Sequence, residues 1–214
     1  MDSRLIARTI RTVSHLRMRQ LLFRVVRRNP VRRLAQRLGY GPWNAFSVAS
    51  TEYVEHRIPN LFHGAPDPPG RITERGIVLD GVEAAKTPTS WDSDSRFRLY
   101  RLHSHLFLSH TRSDLHAAIA FLESAMDFLS NKPAPVMPNS LKTAWEPHPV
   151  SLRILGWVRF AAGTSSSTTL PPRLVPALAY HTHWLRAHVE WETDGNHLID
   201  NSVALIVGGW FLVR

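Results

Sequence analysis

Three segments in the last third of this 214-residue chain repeat their apolar residues every three or four positions. That spacing is the period of an α-helix that packs one side against a core. The segments cover residues 151–162, 176–191 and 197–213, and short connections separate them. A further segment, residues 113–129, has Ser113 as a candidate N-cap and Asp114 as a favourable charge in its first turn. Helices joined by short loops pack as hairpins, so the sequence predicts a mainly α fold.

The first part of the chain has a different character. Residues 3–38 combine a helical apolar stripe with many arginines, and Asn29-Pro30 divides them into two helices because the residue before proline avoids the α region. Such a segment has two possible roles. It can bind a membrane surface or an acidic polymer, or it can pack its apolar stripe against the protein with its arginines in solvent. We favour the second role, docking. Residues 40–95 are rich in Pro, Gly, Asp and Ser, and we expect an irregular connection with short strands at 53–58 and 76–79. We therefore divide the chain into basic helices and loops, residues 1–95, and a helical part, residues 96–214.

Composition narrows the classes of function. The formal charge is +9, but all except three of the 26 basic residues are arginines, a bias that a GC-rich coding sequence explains as readily as ligand chemistry. We therefore expect no nucleic-acid partner. The absence of cysteine excludes disulfides and thiolate metal sites. The longest apolar run, residues 203–213, is about half of what a membrane span requires, so we expect no transmembrane segment. The N-terminal arginines leave no apolar core for a signal peptide, which makes a cytoplasmic location the default.

Two pairs of histidines stand at alternate positions, His103-x-His105 and His181-x-His183. On a strand this spacing places both rings on one face, which suits a metal, whereas on the helix 176–191 it points them apart. No carboxylate stands near the first pair in a matching register. We therefore expect ordinary packing or surface histidines, with no metal site and no cofactor.

Four carboxylates cluster around the last helix junction: Glu190, Glu192, Asp194 and Asp200. A glycosidase needs two carboxyl groups facing each other across the sugar, about 5–10 Å apart. Charges at helix ends and in a loop explain these residues more simply, so we do not expect a glycosidase pair.

The same junction carries the most suggestive polar step, Gly195-Asn196-His197. Gly195 suits the C′ position of the preceding helix, and Asn196 suits the N-cap of the next. The same residues also fit a binding site. At a helix N-terminus, an amide and an imidazole stand beside free backbone N–H groups, which favour an anion such as the carboxylate of an acidic sugar.

Three segments of the chain resemble the heparinase II/III-like polysaccharide lyases. Residues 145–157 read Trp-Glu-Pro-His-Pro-Val-Ser-Leu-Arg-Ile-Leu-Gly-Trp, similar to the family's Trp-x-Pro-Tyr-Pro-Val-Ser-x-Arg-x-x-Asn-Trp. The step Gly195-Asn196-His197-Leu198 resembles the start of the family's Gly-Asn-His-Leu helix, and residues 99–103 resemble its Tyr-Asn-Leu-His segment. The opening helix, residues 9–28, is also similar to that of the family.

The resemblance implies an incomplete (α/α) toroid and β-elimination at a uronic acid of an acidic polysaccharide, with a periplasmic location. It implies that Asn196 neutralises the uronate carboxylate, with His197 beside it as a second catalytic residue. It also implies that a substrate groove is lined by the following residues: Tyr100, His103, Trp145 and Arg153. A bidentate contact of Arg153 with a carboxylate or sulfate is plausible chemistry, and pairing with a helix-terminal acid is the alternative.

The chain also departs from the family pattern. The family's catalytic Tyr and His base follow the Asn-bearing helix, whereas this sequence ends at Arg214, so we expect a truncated lyase that binds without cleaving. Groups expected in the groove are replaced at the following positions: Arg101, Ser104-His105, His148 and Gly156. The alternatives are a non-catalytic protein that binds anionic glycans and a basic protein associated with a membrane or nucleic acid.

The last predicted helix is apolar around most of its circumference. Such a helix needs neighbours on several sides, so we expect it to expose a patch that promotes self-association. The Gly208-Gly209 pair lowers helix propensity near its end, and we expect the last turn to fray.

Overall fold

The computed structural model describes residues 70–79, 81–91, 95–108, 113–130, 139–164, 168–190 and 195–212. In these residues six α-helices and one small sheet are present, so the mainly α prediction is confirmed. The helices predicted within residues 3–38 and the strand predicted at 53–58 lie outside the described residues.

The sheet consists of three short antiparallel strands in the order β1-β2-β3. They are β1 (Gly70–Ile72), β2 (Ile77–Leu79) and β3 (Val82–Ala84). β2 confirms the strand predicted at 76–79. Gly81 lies between β2 and β3 with φ at +78°, a backbone conformation that glycine adopts without strain. A 3-10 turn, Pro88–Trp91, leads from the sheet to the helices.

The helices follow in chain order. They are α1 (Arg96–His103), α2 (Leu115–Ser130), α3 (Asn139–Ala144), α4 (Pro147–Gly163), α5 (Leu174–His188) and α6 (Asn196–Leu212). α2, α4, α5 and α6 correspond to the four segments of helical period. None of the described helices has the length and apolar character to cross a membrane.

Helix starts differ from the sequence prediction in two places. Asp114, not Ser113, caps α2, because the Asp114 carboxylate accepts a hydrogen bond from the Ala117 N–H at 2.8 Å. The Ser113 hydroxyl instead accepts from the Ile72 N–H at 3.1 Å and so connects β1 to the start of α2. α4 begins four residues earlier than predicted, at Pro147, because proline is well suited to the first helical position.

All described elements share one hydrophobic core. Ile72 and Ile77 of the sheet and Trp91 of the 3-10 turn are buried in the same cluster as Trp157 of α4. α4 packs against both α5 and α6, and α5 packs against α6. The sheet therefore lies on the helical core and contributes to it, although residues 70–91 fall on the loop-rich side of the division predicted at residue 95.

α6 continues through both of its glycines to Leu212, so the fraying predicted at Gly208-Gly209 is not seen among the described residues. Gly208 faces α5 and α4: a Cβ atom there would lie 2.6 Å from Thr182 Oγ1 and 3.0 Å from Ile154 Cγ2. The absence of a side chain at Gly208 is therefore what allows the three helices to approach this closely.

Candidate functional site

A stacked pair of histidines joins the first turns of α4 and α6. The His148 and His197 rings lie 3.9 Å apart between centroids, with 14° between their planes. Tyr100 of α1 is also a neighbour of His148, at 6.1 Å between ring centroids. Side chains from three helices, more than 40 positions apart in sequence, therefore meet at one place.

A carboxylate stands against each of the stacked histidines. Asp200 Oδ2 lies 2.9 Å from His148 Nε2, and Glu190 Oε2 lies 3.3 Å from His197 Nδ1. Burial and the neighbouring His197 ring lower the pKa of His148, while the bond to Asp200 opposes this change. In neutral His148 the proton lies on Nε2, where it is donated to Asp200. The hydrogen bond to Asp200 therefore fixes the orientation of the His148 ring, on which the His197 ring stacks.

A third carboxylate, Glu146, connects Tyr100 to Arg96. The Tyr100 hydroxyl donates to Glu146 Oε2, and Arg96 Nη2 donates to both Glu146 oxygens, at 3.2 and 3.0 Å. The Arg96 guanidinium also lies 5.7 Å from the centre of the Tyr100 ring. Burial and the bond to Glu146 raise the pKa of Tyr100 to about 12, so the phenol keeps its proton at neutral pH.

Asn196 is exposed and is the first residue of α6. The prediction for this junction was wrong by one position, since the Gly195 carbonyl accepts from the Ile199 N–H at 3.3 Å and thus makes Gly195, not Asn196, the N-cap. Gly195 does not end α5 either, because α5 stops at His188. The φ angle of Gly195 is +119°, and a Cβ there would meet nothing within 4 Å, so this position requires glycine for its backbone conformation alone.

Arg153 lies inside the protein. It has no exposed surface, and its guanidinium donates to the carbonyls of His103 at 2.9 Å and Ala144 at 3.0 Å. These carbonyls stand at the last residues of α1 and α3, where the helix dipole is negative. Within the described part of the chain, the guanidinium therefore bonds helix-terminal carbonyls where the sequence offered a helix-terminal acid as one alternative. Burial lowers the pKa of Arg153 to about 9.

His103 and Trp145 lie beside Arg153. His103 is fully buried, bonds Ser140 Oγ through Nε2 at 2.8 Å and stacks on Phe128. Trp145 is half-buried, and its ring lies 5.7 Å from the Arg153 guanidinium. Six site residues were named from the sequence. The structure brings two of them, Tyr100 and His197, together around His148, and Asn196 is exposed at the start of the helix that carries His197. The other three, His103, Trp145 and Arg153, lie in the core or against it.

His105 and His181 are buried like His103. All three histidines were named from the sequence, but the buried cluster that they share was not predicted. His105 Nδ1 accepts from Trp157 Nε1 at 2.9 Å, and His181 Nδ1 bonds the Ala177 carbonyl at 2.6 Å. Burial lowers the pKa of all three, to about 3 for His103. His103 ends a helix and His105 has φ at +51°, so the strand geometry considered for this pair is wrong. Among the described residues no three His, Asp or Glu side chains are arranged to hold a metal ion.

The acidic residues of the site were also not predicted as site residues. Asp200 could have been found, since it lies three positions after His197 on one face of the last helix. Glu146 and Arg96 gave no such signal, because 50 positions separate them in sequence.

Comparison of the chain with protein-family models, curated proteins and solved structures finds no match.

Proposed function

We propose that this chain belongs to a heparinase II/III-like lyase and binds acidic polysaccharide through a uronic acid at the His148–His197 site. In this proposal its helices form part of an incomplete (α/α) toroid. The main support for the proposal is that three segments that resemble the family lie together, because residues 145–157 contact both residues 99–103 and residues 195–198. Tyr100, His148 and His197 each come from a different one of these segments, and their rings are neighbours.

Asn196 has the role of neutralising the uronate carboxylate. Its side chain is exposed, and it begins a helix whose first-turn N–H groups have no partner within the helix. An amide N–H and the positive end of a helix dipole together favour an anion. In β-elimination, a base removes the C5 proton of the uronate while an acid protonates the leaving glycosidic oxygen. Neutralising the carboxylate stabilises the negative charge that develops in this step.

The neighbouring rings provide the rest of a sugar-binding surface. His197 stands next to Asn196, stacks on the His148 ring and has Glu190 Oε2 3.3 Å from its Nδ1. Tyr100 keeps its phenolic proton, which it donates to Glu146, so its oxygen can accept a hydrogen bond from a sugar hydroxyl. Arg153 supports this surface, because it connects the end of α1, which carries Tyr100, to the end of α3, which lies two residues before Glu146.

Binding of defined oligosaccharides tests the proposal. We expect the chain to bind a uronic-acid oligosaccharide in calorimetry and not its carboxyl-reduced counterpart, which has the same length and linkages but no charge. Asn196→Ala should weaken binding about tenfold, since a hydrogen bond to a charged group contributes about 1.5–3 kcal/mol. The matched control is Ser202→Ala, which changes an exposed residue of the same helix.

Two results would contradict the proposal. One is equal affinity for the oligosaccharide and its carboxyl-reduced form. The other is binding that Asn196→Ala leaves unchanged and that dextran sulfate displaces equally well, since this is non-specific charge attraction that moderate salt removes.

A further inference from the structure

Four of the exposed large apolar residues form a single row along α6. Ile199, Val203, Ile206 and Trp210 are exposed to 60, 41, 71 and 48%. Their spacing of four, three and four residues places them on one side of the helix, in the register of a coiled-coil seam. The opposite side of α6 is buried against the core through the following residues: Asn201, Ala204, Val207 and Gly208. We call this row the α6 seam.

The α6 seam is a larger apolar feature than the rest of the described surface offers. Among the large apolar side chains of the described residues, only Val82 of β3 and Phe97 of α1 are comparably exposed outside it. Asp200 is the one charged carboxylate of α6, and it is bonded to His148. A contiguous apolar row without charges along it is typical of a surface that another element covers.

The sequence contains a segment of matching pattern. Ile6, Ile10 and Val13 repeat at four and three residues, and arginines occupy the intervening faces. The sequence predicts this segment to be an amphipathic helix that docks its apolar stripe. We propose that the stripe of residues 5–26 covers the α6 seam, helix against helix, within the same chain.

The size of the seam favours a tethered segment over a second copy of the chain. One row of four partly exposed side chains on a single helix is a small surface beside the ~800 Å² that each partner contributes to a standard interface. A segment joined to the domain has an effective concentration in the millimolar range, so a small interface suffices for it. The connection of about 30 residues between the predicted helices and β1 spans up to ~100 Å, and α6 is only about 25 Å long. This inference is independent of the proposed function.

Thiol labelling tests the proposal, because the native chain contains no cysteine. Ile206→Cys places a thiol in the seam, and Glu123→Cys places one on the exposed side of α2 as a reference. We expect labelling at position 206 to be at least about tenfold slower than at position 123, because a docked helix protects it. The rate should not change when the protein is diluted.

Variants in the N-terminal segment identify the element that protects the seam. Ile10→Asp, combined with Ile206→Cys, should raise the labelling rate to that of the reference. Thr12→Asp introduces the same charge on the predicted polar face and should leave the rate low. The proposal is overturned if the thiol at position 206 is labelled rapidly in the variant with Ile206→Cys alone. It is also overturned if that thiol is still labelled slowly when Ile10→Asp is added. Protection that falls on dilution also overturns it and identifies a second copy as the occupant.

Discussion

At the scale of single residues, Arg153 is a buried cation that contacts no carboxylate among the described residues. Its guanidinium is bonded instead to two main-chain carbonyls at helix ends and lies near the Trp145 ring. The planar fork of arginine reaches the two carbonyls from two separate nitrogens, Nη1 and Nη2, whereas the three N–H donors of lysine all leave one nitrogen on a shorter side chain. Geometry, and not charge alone, therefore explains why arginine stands at this position.

Arg153→Lys should destabilise the protein by about 2–4 kcal/mol. The substitution keeps a buried charge and leaves at least one of the carbonyls of His103 and Ala144 without its donor, and both losses are costly. Urea unfolding measures the change. Arg186→Lys, at an exposed position of α5, is the control and should change stability by less than about 0.5 kcal/mol. Equal effects of the two variants would contradict the assigned role of Arg153.

At the scale of elements, α6 shows how neighbouring glycines differ in their surroundings. Gly208 meets α5 and α4 so closely that an added Cβ would lie within 3.0 Å of two side chains. At Gly209 an added Cβ would meet nothing within 4 Å. Helix propensity acts equally on both positions, so the difference between them isolates the packing of α6 against α4 and α5.

Gly209→Ala should stabilise the protein by about 0.5–1 kcal/mol, because alanine restricts the unfolded chain and favours the helix. Gly208→Ala should destabilise it by about 1–3 kcal/mol, because the added methyl group overpacks the contact with Thr182 and Ile154. Thermal and urea unfolding of the two variants provide the comparison. A stabilising Gly208→Ala would show that the three helices are less closely packed than described.

The elements also show what periodicity predicts well. The long helices α2, α4, α5 and α6 each repeat an apolar stripe over at least 15 residues, and the sequence predicted all four. α1 and α3 have eight and six residues and were missed, because so few turns do not establish a period. Their ends are stabilised by the distant Arg153, and local sequence carries no trace of that contact.

At the scale of the whole molecule, three neutral histidines lie in one core. His103, His105 and His181 are buried, and the nearby Arg153 adds to the effect of burial in lowering the pKa of each. The folded protein therefore excludes protons that the unfolded chain accepts below a pH of about 6.5. Because the unfolded state then binds more protons, folding stability falls as the pH falls.

The free energy of unfolding should therefore decrease from pH 6.5 towards pH 3, by up to about 1.4 kcal/mol per pH unit for each of these histidines. Urea midpoints measured at several pH values give this slope. His103→Gln should make the slope shallower even if it lowers stability at pH 7.5. His116→Gln, at an exposed position of α2, should leave the slope unchanged. An unchanged slope in His103→Gln would refute the role given to burial.

Part of the candidate site was also visible in the sequence. Asn196 and His197 stood out because a polar step opens an apolar helix, and the family resemblance added Tyr100. Glu146 and Asp200 were not assigned to the site. Glu146 bonds Tyr100 and Arg96, which lie 46 and 50 positions away in sequence, and Asp200 bonds His148, which lies 52 positions away. Polar contacts at such separations follow from how helices pack, which single-sequence periodicity does not describe.

Local sequence alone determined the four long helices, the strand β2 and the polar start of α6, since short-range periodicity and backbone preferences specify them. Only the tertiary structure decided which side chains of one motif face solvent. His148 and Arg153 stand five residues apart in α4, yet His148 joins the stacked pair and Arg153 is enclosed between two helix ends. The difference arises because burial depends on the elements packed against each face of a helix, and those elements come from distant parts of the chain.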